Sequence, residues 1–171
     1  MKFLPIIYLM YMFFSIYFLS LFFVLYFNNK KNLFNFPEMK KKYSISVVIP
    51  AYNEGGTIKD TIEHVFAVDY DKIIQVIVVN DCSTDNTKEV VESLQKKYPE
   101  LILINNEKNL GNAGKSKNEG LKYATGELVA FVDADSYPAK DSFKKMIGFF
   151  DDEKVGAVTC PSLVRNANNF L

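Results

Sequence analysis

The 171-residue chain contains no tryptophan, one histidine and two cysteines. Cys82 and Cys160 stand neither in a C-x-x-C pair nor beside clustered histidines, which argues against a disulfide framework and against a zinc site. His64 falls inside a helical apolar pattern, where a surface or core filler is the plain reading and a general base the sharper one. Neither sign of charge is in excess: 20 Lys+Arg face 20 Asp+Glu, a net charge of +0 at pH 7. No basic patch recurs along the later chain, so nucleic acid is not the expected partner. Two glycine-rich phosphate loops are also missing. No G-x-G-x-x-G follows the first strand-like run, and Gly111-Asn112-Ala113-Gly114-Lys115-Ser116 ends like a Walker loop but has only two residues between its glycines. Neither of the common glycine cradles for phosphate is therefore expected in this chain.

What is present is unevenly spread. Residues 3–27 carry no charged side chain, with Pro5, Ser15 and Ser20 as interruptions, and such a run spans a hydrocarbon core of roughly 30 Å. A membrane helix over residues 1–28 is expected. A secretory signal peptide is the competitor, but its apolar region is shorter and is followed by small residues, whereas this run ends in Tyr26, Phe27, Asn28 and Asn29. Lys2 precedes the run, and Lys30, Lys31, Lys40, Lys41 and Lys42 follow it, so the positive-inside bias puts the carboxyl side in the cytoplasm of a single-pass protein. The same lysines suit anionic headgroups. Residues 29–43, broken by Pro37, read as a basic linker, and residues 44–171 as the folded domain.

Within that domain, apolar runs at 45–49, 73–79, 101–104 and 128–132 alternate with helical patterns at 57–66, 87–98, 113–124 and 140–150, and 155–159 reads as a fifth strand. Thr57 is placed to cap the first helix with Asp60 three residues on, and Gly126 to close the third. Strands alternating with helices of about a dozen residues indicate βαβ units and a mostly parallel α/β sheet with helices on both faces. The run Leu128-Val129-Ala130-Phe131-Val132, lacking polar alternation, suits a strand buried on both faces.

Every loop of unusual composition follows a strand, and in a parallel sheet such loops share one edge. Tyr52, Asn53 and Glu54, then Asp81, the 109–118 segment, and Asp133 with Asp135 would line one crevice. Asp133 and Asp135 sit one residue apart, so an extended chain points both carboxylates to one side, where they suit Mg²⁺ or Mn²⁺ with coordination sites left for phosphate oxygens. The plainer alternative is a solvated Asp-rich turn.

Four motifs, in order, carry a resemblance: Val47-Val48-Ile49-Pro50-Ala51-Tyr52-Asn53-Glu54, Val79-Asn80-Asp81-Cys82-Ser83-Thr84-Asp85-Asn86-Thr87, Asn109-Leu110-Gly111-Asn112-Ala113-Gly114 to Asn118, and Val132-Asp133-Ala134-Asp135-Ser136. From Ser44 onward the chain resembles the nucleotide-sugar half of family 2 glycosyltransferases of the Rossmann-like GT-A fold. The leading helix and residues 155–166 are most similar to the membrane-bound, often processive branch that makes polysaccharides. The resemblance implies an inverting transfer of sugar from a nucleotide diphosphate sugar, UDP-linked by family expectation, to a glycan or lipid-linked acceptor. It implies that Asp81 accepts from the base, that Ala51, Tyr52 and Glu54 line the base and ribose pocket, that Asp133 approaches ribose or metal, and that Asp135 binds Mg²⁺ or Mn²⁺ at the diphosphate.

The departures from the family pattern are specific. Asn80-Asp81-Cys82-Ser83 stands where the family commonly has Asp-Asp-Gly-Ser. Asn112 stands where the processive branch often has Lys, which makes Lys115 or Lys117 the candidate replacement cation, with a solvated helix face as the alternative. The family's general base belongs to a later Asp motif, and the processive Gln-x-x-Arg-Trp segment needs a tryptophan; neither occurs before Leu171. The expectation is an amino-terminal fragment with an incomplete sheet and an unidentified base. A non-catalytic, membrane-tethered nucleotide-binding module is the alternative, and a nucleotidyltransferase a weaker one, since Gly55-Gly56 is followed by Thr57-Ile58 without a basic residue.

Overall fold

A computed structural model describes residues 3–30 and 35–162, in two compact units, Met1–Pro37 and Glu38–Leu171. Lys2, Lys31 and the 155–166 segment beyond Ser162 lie outside the described residues. In the first unit the uninterrupted apolar run forms helix α1, Leu4–Asn29. Pro5 falls in its first turn, where N–H groups have no helical partner and proline is tolerated. Its 26 residues reach about 39 Å at 1.5 Å each. Among the described residues it is the one helix long and apolar enough to cross a membrane, by length and composition.

The second unit is built on a parallel sheet in the order β3-β2-β1-β4, from β1 (Ile45–Ala51), β2 (Ile73–Asn80), β3 (Leu101–Asn105) and β4 (Leu128–Phe131). Successive strand side chains point to opposite faces, so the unbroken apolar runs of β1 and β2 demand cover on both. Val47, Ile49, Val76 and Val78 meet Ile58, Ile62 and Val65 of α2 (Ile58–Phe66), Val91 of α3 (Thr87–Gln95), and Phe143 and Ile147 of α5 (Ser142–Ile147). Val48, Ile77 and Val79 form the opposite cluster. Helix α4 (Ala113–Leu121) seats Gly120 there, so close that a Cβ would stand 2.5 Å from Val48 Cγ1. β1 has β2 on one side and β4 on the other, so the strand order reverses between β1 and β4. Ligands in open α/β sheets bind at that reversal, beyond the strand carboxyl ends.

The structure corrects several sequence expectations. β4 is not buried on both faces: among the described residues it pairs only with β1, and Phe131 is 46% exposed. Residues 155–159 form no strand. The Val155 N–H is spent on the Asp152 carbonyl in a turn, and Gly156 and Ala157 offer too little apolar area to bury a strand against the sheet. Three helices end early for local reasons. Pro99 disfavours helical geometry at Tyr98 and α3 stops at Gln95; Tyr123 and Ala124 bond back three residues, tightening the end of α4; and α5 passes into a 3-10 turn at Gly148–Asp151. Residues 40–43 belong to the second unit and are tied to its body. Lys41 pairs with Glu127, Lys42 with Asp71, the Lys40 N–H donates to Asp151, and the Tyr43 hydroxyl donates to the Phe150 carbonyl.

Candidate active site

The first two loops are built as one piece. After β1 the chain turns at Asn53, whose φ of 56° is left-handed, a conformation that asparagine tolerates better than most residues. This presents successive N–H groups to the loop after β2: Asn53 donates to Ser83 Oγ at 3.0 Å, Glu54 to Thr87 Oγ1 at 2.9 Å, and Gly55 to Asp85 Oδ2 at 2.9 Å. Thr84 N–H answers to Asn53 Oδ1 at 2.8 Å. The Asp85 carboxyl is held below its ordinary 3.8, foremost by the Thr87 hydroxyl and then by the Gly55 and Thr87 N–H groups, against the opposing cost of desolvation. Thr57 does not cap α2. Its hydroxyl donates to Glu54 Oε2 at 2.7 Å and so orients that carboxylate.

Asp81 follows β2 and is 4% exposed. Its Oδ1 accepts from Asn106 Nδ2 at 2.7 Å and from Leu110 N at 3.0 Å, and its Oδ2 from the same Leu110 N–H at 3.1 Å. The Asn109 side chain donates to the Asp81 carbonyl, which ties the loop before α4 to the end of β2. Asn80, which replaces the family's first aspartate, is internally committed: its amide donates to Asn105 Oδ1 and its oxygen accepts from Ser83 N. Cys82 has φ 62°, the left-handed geometry that explains a glycine at this position in the family pattern.

At the start of α4, Gly111 takes φ 88° and Asn112 caps the helix, its Oδ1 accepting from Lys115 N at 2.9 Å. Ala113, Ser116 and Lys117, at helical spacing i, i+3, i+4, face the crevice. Lys115 lies about 200° around the helix from Lys117 and is exposed outside the lining. The structure thus brings Lys117, not Lys115, to the site. Lys117 Nζ lies 2.9 Å from Asp133 Oδ1 and 5.8 Å from the centre of the Phe131 ring.

Beyond β4 the chain does not continue as extended strand, as the sequence suggested, but enters a turn closed by Ser136 N–H on the Asp133 carbonyl at 2.9 Å. Burial still alternates: Val132 and Ala134 are buried, Asp133 and Asp135 exposed. Both aspartates line a crevice of about 570 Å³ together with Ala51, Tyr52, Glu54, Asp81 and Asn112. Ala51, Tyr52, Glu54, Asp81, Asn112, Lys117, Asp133 and Asp135 are therefore gathered at one rim, whereas Lys115 and Asn53 do not line it, the Asn53 side chain accepting instead from Thr84. His64 lies away from the crevice, its ring 5.1 Å from that of Tyr137.

Two carboxylates do not enclose a cation. Among the described residues no group of three or more His, Cys, Asp or Glu is placed to hold a metal. An open pair of oxygen donors does fit Mg²⁺ or Mn²⁺ bound jointly with a ligand's phosphates, because Mg²⁺ characteristically uses one or two carboxylates and completes its shell with water and phosphate. Sequence reasoning missed the residues that hold the site: Ser83, Asp85 and Thr87 sit in the second of the motifs that carry the resemblance, and Asn106 outside all four, and each binds a neighbouring loop.

A four-stranded parallel sheet with a reversal between β1 and β4 and helices on both faces, with acidic residues at the ends of β2 and β4, is a GT-A-like α/β architecture. Residues 46–171 match the model of glycosyl transferase family 2, and the chain belongs to that family. Poly-beta-1,6-N-acetyl-D-glucosamine synthase of Staphylococcus aureus (strain MSSA476) is 35% identical over 144 residues, covering 84% of this chain and 34% of its own length. Poly(ribitol-phosphate) beta-N-acetylglucosaminyltransferase TarS of S. aureus (strain Mu50 / ATCC 700699) is 39% identical over 108 residues, 63% of this chain and 19% of its own. The chain spans about a third or less of the length of these curated relatives. Among solved structures, mannosyltransferase PcManGT from Pyrobaculum calidifontis, in complex with GDP-Man and Mn²⁺, superposes with a TM-score of 0.71 at 29% identity, covering 82% of this chain and 43% of its own. S. aureus TarS 1–349 in complex with UDP-GlcNAc gives a TM-score of 0.59 at 34% identity over 70% and 37% of the two chains.

Proposed function

We propose that the crevice binds a nucleotide diphosphate sugar together with Mg²⁺ or Mn²⁺, and that the protein transfers the sugar, with inversion, to a glycan or lipid-linked acceptor at a membrane surface. The observation that carries this reading is the convergence of Asp81, Asp133 and Asp135 on one rim at the strand-order reversal. Family membership and neighbours solved with GDP-Man and Mn²⁺ or with UDP-GlcNAc support it. Asp81, preset by Asn106 and Leu110, accepts from the base; Tyr52 and Glu54 flank base and ribose; Asn112 and Lys117 stand at the diphosphate. Asp133 and Asp135 would hold the cation. When bound, it neutralises charge on the departing nucleoside diphosphate. In this reading helix α1 anchors the protein, and the lysines that flank it favour a cytoplasmic side for the Glu38–Leu171 unit.

The test is calorimetric titration of the full chain in detergent with UDP and with GDP, in Mn²⁺ and in chelator. Binding of one of the two diphosphates is expected to require metal, and Asp135→Ala is expected to abolish the metal-dependent part while leaving the circular dichroism spectrum unchanged. Unaltered, metal-independent affinity in the variant removes the site assignment.

A further inference from the structure

Thr61 lies within α2, is 0% exposed, and is not part of the crevice lining. Threonine is a poor helix former, and within a helix its hydroxyl commonly turns back to the carbonyl one turn earlier. Here Thr61 Oγ1 donates instead to the carbonyl of Ala134, at 2.7 Å and 73 residues further along the chain. Ala134 is the residue between the two aspartates, and it is itself buried while forming part of the crevice wall.

A hydrogen bond to a carbonyl fixes the peptide plane that carbonyl belongs to, and the Ala134 carbonyl shares its plane with the nitrogen and Cα of Asp135. The direction in which Asp135 leaves the backbone is set from α2. The far end of the turn is closed by Ser136 on Asp133, and the Asp133 carboxylate rests against Lys117. Helix α2 also begins where the Tyr52-to-Gly56 loop ends, its first N–H, that of Ile58, donating to the Glu54 carbonyl at 2.9 Å. One rigid element thus references both the first loop and the acidic turn.

We propose that Thr61 is a positioning residue for the Asp133/Asp135 pair: its hydroxyl, through the Ala134 carbonyl, holds the two carboxylates in the relation that lets them share one divalent cation. This rests on reading the crevice as a cation and nucleoside diphosphate site. Residues that orient metal ligands without touching the metal typically change metal affinity by roughly 10–100-fold when lost.

The experiment compares Thr61→Val, which keeps the shape and removes the donor, with Thr61→Ser, which keeps the donor and removes a methyl. Both are made in the full chain in detergent, with UDP titrated in Mn²⁺ and in chelator, and Mn²⁺ alone followed by electron paramagnetic resonance. Thr61→Val is expected to lose roughly ten-fold or more of the Mn²⁺-dependent affinity, with its metal-free affinity unchanged, while Thr61→Ser retains wild-type metal dependence. A packing role gives the opposite order, since the methyl is lost only in the serine variant. If Thr61→Val does not fold, Thr61→Ala takes its place against Thr61→Ser under the same criterion. Wild-type metal dependence in the donor-less variant, or equal losses in both, overturns the role of Thr61. Asp135→Ala, run alongside, separates the two levels: if it too keeps metal-dependent binding, the crevice reading fails and the role of Thr61 with it, whereas if it alone loses that binding, only the Thr61 proposal falls.

Discussion

Lys117 shows how much can turn on two positions of a helix. Its ammonium sits at the crevice, 2.9 Å from Asp133, with its side chain 29% exposed, and on the proposed function it faces the diphosphate. A partly screened cation contributes less than a buried one, but a charge-assisted contact to phosphate still exceeds a neutral hydrogen bond. Lys117→Met is therefore expected to weaken UDP binding several-fold, by about 1 kcal/mol, and to flatten its salt dependence. Lys115→Met is expected to change neither, because that side chain points away. Titrations at two ionic strengths check both variants, and equal losses would contradict the assignment. The choice between these lysines was not legible in the sequence: both follow a glycine-containing loop, and only the rotation of α4, pinned by Gly120 against Val48, selects Lys117. That Asp81, Asp133 and Asp135 share one rim was legible because loops that follow parallel strands meet at one edge, whereas the contacts of Ser83, Asp85 and Thr87 join loops about 30 residues apart.

At the scale of elements, α4 approaches the sheet through a residue with no side chain. A Cβ at Gly120 would lie 2.5 Å from Val48 Cγ1 and 3.1 Å from Val79 Cγ2, and both valines are buried in central strands. Gly120→Ala improves intrinsic helix propensity by about 1 kcal/mol, but overpacking costs typically about 1–3 kcal/mol, so the clash wins. The variant is expected to melt lower and also to bind UDP more weakly, because lifting α4 displaces Asn112 and Lys117 at its crevice end. Thermal denaturation and titration together test this; a stabilised variant would mean that α4 is not seated as described. The central strands and the four main helices could be read from periodicity because β1 and β2 are buried on both faces. The same rule found β4 but overstated its burial, and it failed at residues 155–159, since an apolar run reports that burial is favoured and not whether a partner is there to provide it.

On the scale of the whole domain, a belt of exposed ion pairs fastens the entry segment to the sheet. Glu127 accepts from Lys41 at 2.6 Å and from the Ser44 N–H at 3.0 Å, joining the chain just before β1 to the chain just before β4. Its carboxyl is held below the ordinary 4.5, by Lys41 foremost and then by Ser44, and that of Asp71 below 3.8 by Lys42 foremost. A carboxyl with a lowered folded-state value binds protons first in the unfolded chain, so its stabilisation is present in full above the ordinary value and is lost as pH falls from there through the lowered one. The melting temperature of the full chain in detergent is therefore expected to be flat with respect to these groups at neutral pH and to decline once pH passes below 4.5 and then 3.8. Each pair is solvent-exposed and individually weak, and added salt should shrink the effect further. Glu127→Gln isolates one fastening: it should melt below wild type at pH 7, and the gap should close at acid pH as the wild-type carboxylate is itself neutralised. A gap that does not narrow at all as pH falls below 4.5 would show that the glutamate acts through packing rather than charge.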